Sequence, residues 1–150
     1  MAGIDIRSEA FSDHTLMPER LAQTGDNVSP ALEWSHAPDG TTELVLMCED
    51  PDAPGGTFLH WLVTRIDPRA SGCEEGMLPV GGVAWPNTAG VVGWSGPKPP
   101  AGDPPHRYFF RVFALSDYID LPETPGAEDV HAAVADRELA SGTLVGLFGR

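Results

Sequence analysis

Apolar and polar positions along the chain fall into short runs that alternate with turn residues. Glu43 to Glu49 (Glu-Leu-Val-Leu-Met-Cys-Glu), Thr57 to Ile66 (Thr-Phe-Leu-His-Trp-Leu-Val-Thr-Arg-Ile), His106 to Leu115 (His-Arg-Tyr-Phe-Phe-Arg-Val-Phe-Ala-Leu) and Thr143 to Phe148 are short, largely apolar runs of strand length. Pro/Gly clusters separate them: Pro38 to Gly40, Asp50 to Gly56, Pro79 to Gly82 and Gly96 to Pro105. This pattern predicts strands spaced by turns, hence a mainly β sandwich or barrel. The runs are apolar at nearly every position, which predicts central strands covered on both faces. A second sheet would lie on one side, and loops or a helix on the other. One helix is predicted near the C-terminus. Thr124 would cap it and Pro125 would start it, with Glu128 and Asp129 at the positive end of its dipole. Val130, Ala133 and Val134 would form its buried stripe, and Gly142 would end it. His131 beside that stripe is expected to be solvated.

Composition narrows the picture. The 17 glycines and 15 prolines among 150 residues exceed the usual share of about 12% and leave no room for a helical bundle. The length fits one domain spanning positions 1–150 and is enough to bury a core without staples. Twenty-two acidic residues against nine basic ones give a net charge of −13. That charge excludes ordinary nucleic-acid binding and adsorption to anionic membranes. Met1 to Ala10 carries Asp5, Arg7 and Glu9 and does not read as a signal peptide. No apolar stretch is long enough to span a bilayer. Cys48 and Cys73 form no CxxC pair and read as reduced thiols, which points to the cytoplasm.

Candidate chemistry sits where strands meet Pro/Gly loops. Alternation along a strand places Phe58, His60, Leu62, Thr64 and Ile66 on one face, and His106, Tyr108, Phe110, Val112 and Ala114 on another. Two readings stand for the histidines: core residues satisfied by a carbonyl or carboxylate, or members of one polar pocket. Asp50 and Asp52, stiffened by Pro51 and Pro54, either bond local N–H groups or face a histidine. The Gly96 to Pro105 loop is either a stiff surface connection or a pocket wall whose backbone a ligand approaches at Gly96. Lys98 in that loop either adds positive charge to the pocket or is solvated.

The order Asp50-Pro51-Asp52-Ala53-Pro54, His60-Trp61, Gly96-Pro97 with Pro99-Pro100 and Gly102, then His106-Arg107-Tyr108 resembles the phosphatidylethanolamine-binding protein family, which includes the Raf kinase inhibitor proteins. Asn27-Val28-Ser29-Pro30-Ala31-Leu32-Glu33-Trp34 is similar to that family's early segment. The short loop between Pro54 and His60 matches its bacterial and archaeal branch. The resemblance implies a β-sandwich of two antiparallel sheets with a few short helices. It also implies a small pocket for phosphate or a phospholipid headgroup. Its ligand-binding residues would be Asp50, His60, Trp94, Gly96, Pro97, His106 and Tyr108. Trp94 stands where many bacterial members have tyrosine, and Lys98 where many have cysteine. A tryptophan supplies an N–H donor and an apolar wall but accepts no hydrogen bond.

Three functions follow. The leading one is non-enzymatic binding of a small anion, with His60, His106, Tyr108 and the Gly96-loop N–H groups as donors and Asp50 orienting an imidazole. The second is an interaction module, kinase or protease inhibitor-like, that docks partners at the pocket mouth. The third is an acid–base or metal-assisted hydrolase. It is disfavoured because no nucleophile motif and no HxH or HxxxH spacing is present. No cofactor and no metal are expected. A homodimer is compatible with the family resemblance.

Overall fold

The computed structural model describes residues 3–150. Met1 and Ala2, the start of the Met1–Ala10 segment, lie outside them. The chain forms two sheets. The smaller joins β1 (Ile6–Arg7), β3 (Leu32–Trp34) and β6 (Gly72–Cys73) in the order β1-β3-β6. The larger uses β2 (Thr15–Leu16), β4 (Glu43–Asp50), β5 (Phe58–Ile66), β7 (Val83–Ala84), β8 (His106–Leu115) and β9 (Glu138–Phe148), in the order β2-β9-β8-β4-β5-β7. All pairings are antiparallel except β2 with β9, which is parallel. One 3₁₀ turn (Glu19–Leu21) and one helix, α1 (Ala127–Val134), complete the regular structure of the described residues. None of their helices is long and apolar enough to cross a membrane.

The expected mainly β, two-sheet architecture is what forms, and the apolar runs are its central strands. β4 is buried along its whole length. Leu44, Leu46 and Cys48 face the smaller sheet and pack with Ile6, Leu32, Trp34, Trp61 and Phe110. Val45 and Met47 face the other way and pack with Leu59, Leu62 and the α1 residues Ala127, Val130 and Val134. A sheet covered on both faces must be apolar on both, which is why simple alternation is weak in these runs.

Several local expectations are corrected. The helix is capped by Gly126, whose N–H donates to Asp129 Oδ2 at 2.8 Å, and not by Thr124. It ends at Val134 and not at Gly142. Gly142 lies inside β9, which begins at Glu138, five residues before the predicted start. A Cβ there would run into the Ile4 carbonyl oxygen, so this glycine serves close packing of the N-terminal segment. His131 is bonded: its Nε2 lies 2.7 Å from Glu49 Oε2, which also accepts from Arg111 Nε at 2.8 Å. Burial pushes the Glu49 carboxyl up, but His131 and Arg111 outweigh it and hold it below the usual range.

The face assignment in β5 is also corrected. Cys48 is opposite Trp61 and Glu49 is opposite Leu59, so His60 is the extra residue of a β-bulge. A second bulge sets Thr64 and Arg65 against Val45, with Arg65 at φ +60°. The phase of alternation therefore changes twice. Leu62 turns to the helix side and Thr64 accepts from Trp85 Nε1 on that side, while Trp61, Val63 and Ile66 enter the inter-sheet core. In β8 the predicted face of Tyr108, Phe110, Val112 and Ala114 holds throughout.

Candidate functional site

β5 and β8 flank β4, and both run antiparallel to it. The end of β4 therefore meets the beginnings of its two neighbours. Asp50 closes β4 and is paired with Phe58 at the start of β5. The Glu49–Phe109 pairing puts Tyr108 and His106 beside Asp50 on the other side. A cavity of about 270 Å³ opens at this corner, lined by Asp50, Phe58, His60, His106 and Tyr108 together with Lys98, Pro99 and Pro100. Four larger grooves are present among the described residues. Two, about 660 and 630 Å³, run along β1, β3 and β6, and a third, about 330 Å³, lies at His36 to Arg69, all with exposed charged linings. A fourth, about 400 Å³, holds Glu49 already paired with His131 and Arg111. The corner cavity holds buried titratable groups and is the better candidate.

His106 is buried, with a carboxylate on each ring nitrogen. Nδ1–H donates to Asp50 Oδ2 at 2.8 Å, and Nε2–H donates to Asp103 Oδ2 at 3.2 Å. Carboxylates only accept, so this arrangement requires both ring protons and an imidazolium. Burial pulls the His106 pKa down, but the bonds to Asp50 and Asp103 and their charges outweigh it. The pKa lies above its ordinary value. Asp50 is itself fixed, because its Oδ1 accepts the Asp52 N–H at 2.7 Å. Asp52 faces Arg107, accepting from its backbone N–H at 2.9 Å and from its guanidinium at 3.0 and 2.9 Å. Asp50 thus combines the two expected roles, a local turn bond and a histidine partner.

His60 is different. Its Nδ1 lies 2.6 Å from the Ser95 carbonyl oxygen. A carbonyl only accepts, so Nδ1 carries the proton. Burial pushes the His60 pKa below its ordinary value, against the pull of Ser95 and Asp50. The neutral ring then presents Nε2 as an acceptor, and not as the donor expected from sequence. Asn87 holds the Ser95 segment in place, donating from Nδ2 to Ser95 Oγ and Gly93 O, each at 2.9 Å. Tyr108 sits between the two histidines, with ring centroids 5.2 Å from His60 and 6.5 Å from His106. Burial and the Asp50 charge push its phenol far up, so it stays protonated.

A family model described as phosphatidylethanolamine-binding protein matches residues 7–149. The chain belongs to that family. A UPF0098 protein of the archaeon Methanothermobacter thermautotrophicus is 39% identical over 98% of this chain and 99% of its own length. A Mycobacterium tuberculosis protein, provisionally named lipoprotein LppC, is 43% identical over 97% of this chain and 72% of its own length. The crystal structure of Escherichia coli YbcL, described as a new member of the mammalian PEBP family, superposes with a TM-score of 0.90. It is 27% identical and covers 99% of both chains.

Against this PEBP-family frame, four of the seven candidate residues converge on the cavity: Asp50, His60, His106 and Tyr108. Gly96, Pro97 and Trp94 do not line it. The Gly96 N–H donates to Asn27 Oδ1 at 2.7 Å, so it is not free for a ligand. A Cβ on Gly96 would meet the Leu21 carbonyl oxygen, so its missing side chain serves chain packing and not ligand approach. The Pro97 carbonyl accepts from the Gln23 N–H at 3.1 Å. Trp94 donates Nε1–H to the Leu21 carbonyl at 3.0 Å and stacks on Phe110, which places it in the inter-sheet core. Sequence reasoning missed Asp103 and Ser95. Asp103 had a signal, since it follows the turn glycine Gly102 and precedes His106 by three residues. The Ser95 role belongs to its backbone and leaves no trace in residue type. Among the described residues, no group of three or more His, Cys, Asp and Glu side chains is arranged to hold a metal ion. Cys48 and Cys73 are free thiols; Cys48 is buried and its pKa is pushed well up.

Proposed function

We propose that the chain is a non-enzymatic binder of a small phosphoryl anion, a phosphate monoester or a phospholipid headgroup, at the corner cavity. The observation that carries this reading is the buried His106 at the cavity wall with a carboxylate on each ring nitrogen, an arrangement that calls for both ring protons. An anionic oxygen can take the Nε2–H in place of Asp103. The Tyr108 hydroxyl adds a second donor. Lys98, the chain's only lysine, lines the same cavity and adds charge. Among the described residues, no serine, threonine or cysteine lines the cavity with these groups, which favours a binder over a hydrolase with a side-chain nucleophile. The cavity is below the usual size of a drug-like site, which fits a headgroup-sized ligand. Two or three charge-assisted bonds contribute roughly 1.5–3 kcal/mol each before association costs, which gives weak to moderate affinity.

The interaction-module reading calls for an apolar patch at the cavity mouth. Of the exposed large apolar side chains, Met77, Leu78, Val80, Val83, Val91 and Val92 come from one stretch of chain, Leu16 and Tyr118 lie elsewhere, and none lines the cavity. A cytoplasmic location is part of the proposal. The relative named as a lipoprotein supplies the competing case, and cell fractionation distinguishes them.

The test is an NMR titration of the histidine ring signals with phosphoethanolamine, with inorganic phosphate as comparison. Saturable shifts at His60 and His106, with His14, His36 and His131 unmoved, are expected. No shift at either cavity histidine with millimolar ligand overturns the reading.

A further inference from the structure

We infer that the cavity selects a phosphoryl group that still carries a proton, a phosphate monoester monoanion (ROPO₃H⁻), over ionised esters of the same charge that have no proton to donate. The inference rests on the reading above that a phosphoryl anion occupies the cavity.

The argument is an inventory of donors and acceptors. On one side stand the His106 Nε2–H and the Tyr108 hydroxyl. On the other stands His60 Nε2. The ring's Nδ1 takes the Ser95 carbonyl, and the Gly96 backbone adds a weaker pull on the ring; Nε2 itself makes no geometric hydrogen bond among the described residues. Among the described residues, no fully buried side-chain nitrogen or oxygen lacks a partner. The partnerless Nε2 is therefore reached from the cavity that His60 lines. It offers a lone pair. A ligand oxygen without a proton would set lone pair against lone pair there and leave the imidazole nitrogen unpaired. A P–OH group would donate to it, while its sister oxygens accept from His106 and Tyr108.

A second proton on His60 is the alternative, and the surroundings oppose it. The ring is packed between Phe58 on its own strand and Tyr108 on β8. The charged groups facing it are Asp50 from β4, His106 from β8 and Lys98 from the Pro-rich loop. Asp50 favours the cation, but its carboxylate is already bonded to His106 and to the Asp52 N–H. His106 is an imidazolium, and Lys98 is a cation as well. Protonating His60 would put a third cation at one small cavity and desolvate it.

Three probes of equal charge test the idea at about pH 5.5, below the second ionisation of a phosphate monoester at about pH 6. They are methyl phosphate, methyl sulfate and dimethyl phosphate. Only methyl phosphate has a proton to donate. Dimethyl phosphate also reports the phosphodiester of a phospholipid, which separates a lipid source from a free monoester. Calorimetry or NMR titration should show methyl phosphate binding about tenfold or more tighter than either other probe, because a site built to pair a polar group rejects an analogue that leaves it unpaired. Methyl phosphate affinity should fall as pH rises past about 6, where the ligand loses its proton. Methyl sulfate affinity should hold until His106 titrates, above its ordinary value.

In His60→Gln, the side-chain amide offers both a donor and an acceptor, and the three affinities should converge to within about threefold. A direct readout needs no variant: ¹⁵N signals of the His60 ring in the methyl phosphate complex should show Nε2 without a proton. Equal affinities for the three probes in the wild type overturn the inference and leave the binding reading intact. A His60 imidazolium in the methyl phosphate complex does the same. Binding of none of the probes overturns both.

Discussion

Replacing Asp50 by asparagine tests the His106 arrangement through stability. The substitution keeps the side-chain shape and the Oδ1 atom that accepts the Asp52 N–H. It removes the charge that Oδ2 presents to His106 Nδ1 at 2.8 Å. Side-chain exposures of 7% for His106 and 3% for Asp50 leave little solvent to screen the pair. A hydrogen bond to a charged group contributes about 1.5–3 kcal/mol, against about 0.5–1.5 kcal/mol for a neutral one. Removing one partner of a buried pair costs up to about 3–5 kcal/mol, but Asp103 still faces the ring and His106 can give up its proton. The expected loss is therefore about 1.5–3 kcal/mol where His106 is charged.

The pH dependence follows from the sign of the shift. The folded-state pKa of His106 is raised above the ordinary 6.5, so its proton-linked stabilisation is full below that value. It is lost as pH rises through the folded pKa. The deficit of Asp50→Asn against wild type should be largest near pH 5.5 and shrink to about 1 kcal/mol or less by pH 9. Urea unfolding at several pH values measures it, and a histidine titration should show the His106 pKa falling. A deficit constant from pH 5.5 to 9, or one that grows with pH, would refute the assignment of His106 as the buried cation.

Asp103→Asn should raise affinity for inorganic phosphate several-fold at pH 6, because the variant removes the carboxylate that competes for His106 Nε2–H; an NMR titration reads it. Glu43→Ala should destabilise the fold by about 2–4 kcal/mol in urea unfolding, since Glu43 is buried and accepts the Arg65 and Ile119 N–H groups at 2.7 and 3.0 Å. Trp94→Phe should cost about 1–2 kcal/mol through the unpaired Leu21 carbonyl, yet shift phosphate affinity by less than about twofold, because Trp94 lies outside the cavity.

The four long strands were legible because their apolar runs are long and their Pro/Gly boundaries sharp, and His106–Leu115 matches to the residue. The two- and three-residue strands β1, β2, β3, β6 and β7, and so the smaller sheet, were too short to leave such a run. The meeting of His60, His106, Tyr108 and Asp50 was legible from the order of motifs, and each lies at or near the end of a strand. The phase of β5 was not legible. A bulge adds a residue without any marker in residue type, and two bulges returned Ile66 to its predicted side while moving Leu62 and Thr64. The roles of Gly96 and Trp94 were misread because a glycine in a Pro-rich loop reads the same whether a ligand or the Leu21 backbone comes close.

The distribution of charge explains why a histidine anchors this site. The chain carries 22 acidic residues; Arg107 beside the site is committed to Asp52, and Arg150 Nε donates to the carbonyl of the cavity residue Pro99. Asp50, His106 and Lys98 line the cavity and Asp103 bonds His106 from beside it, so two carboxylates stand against two cations. The local charge balances, so an anion is not drawn in by net attraction, and the field of the whole acidic chain opposes its approach. The proposed binding therefore depends on exchange at one atom, in which an anionic oxygen would take the His106 N–H from Asp103. An arginine at that position would keep its charge at every physiological pH. A histidine between two carboxylates makes the site's charge conditional on pH and on where Asp103 lies.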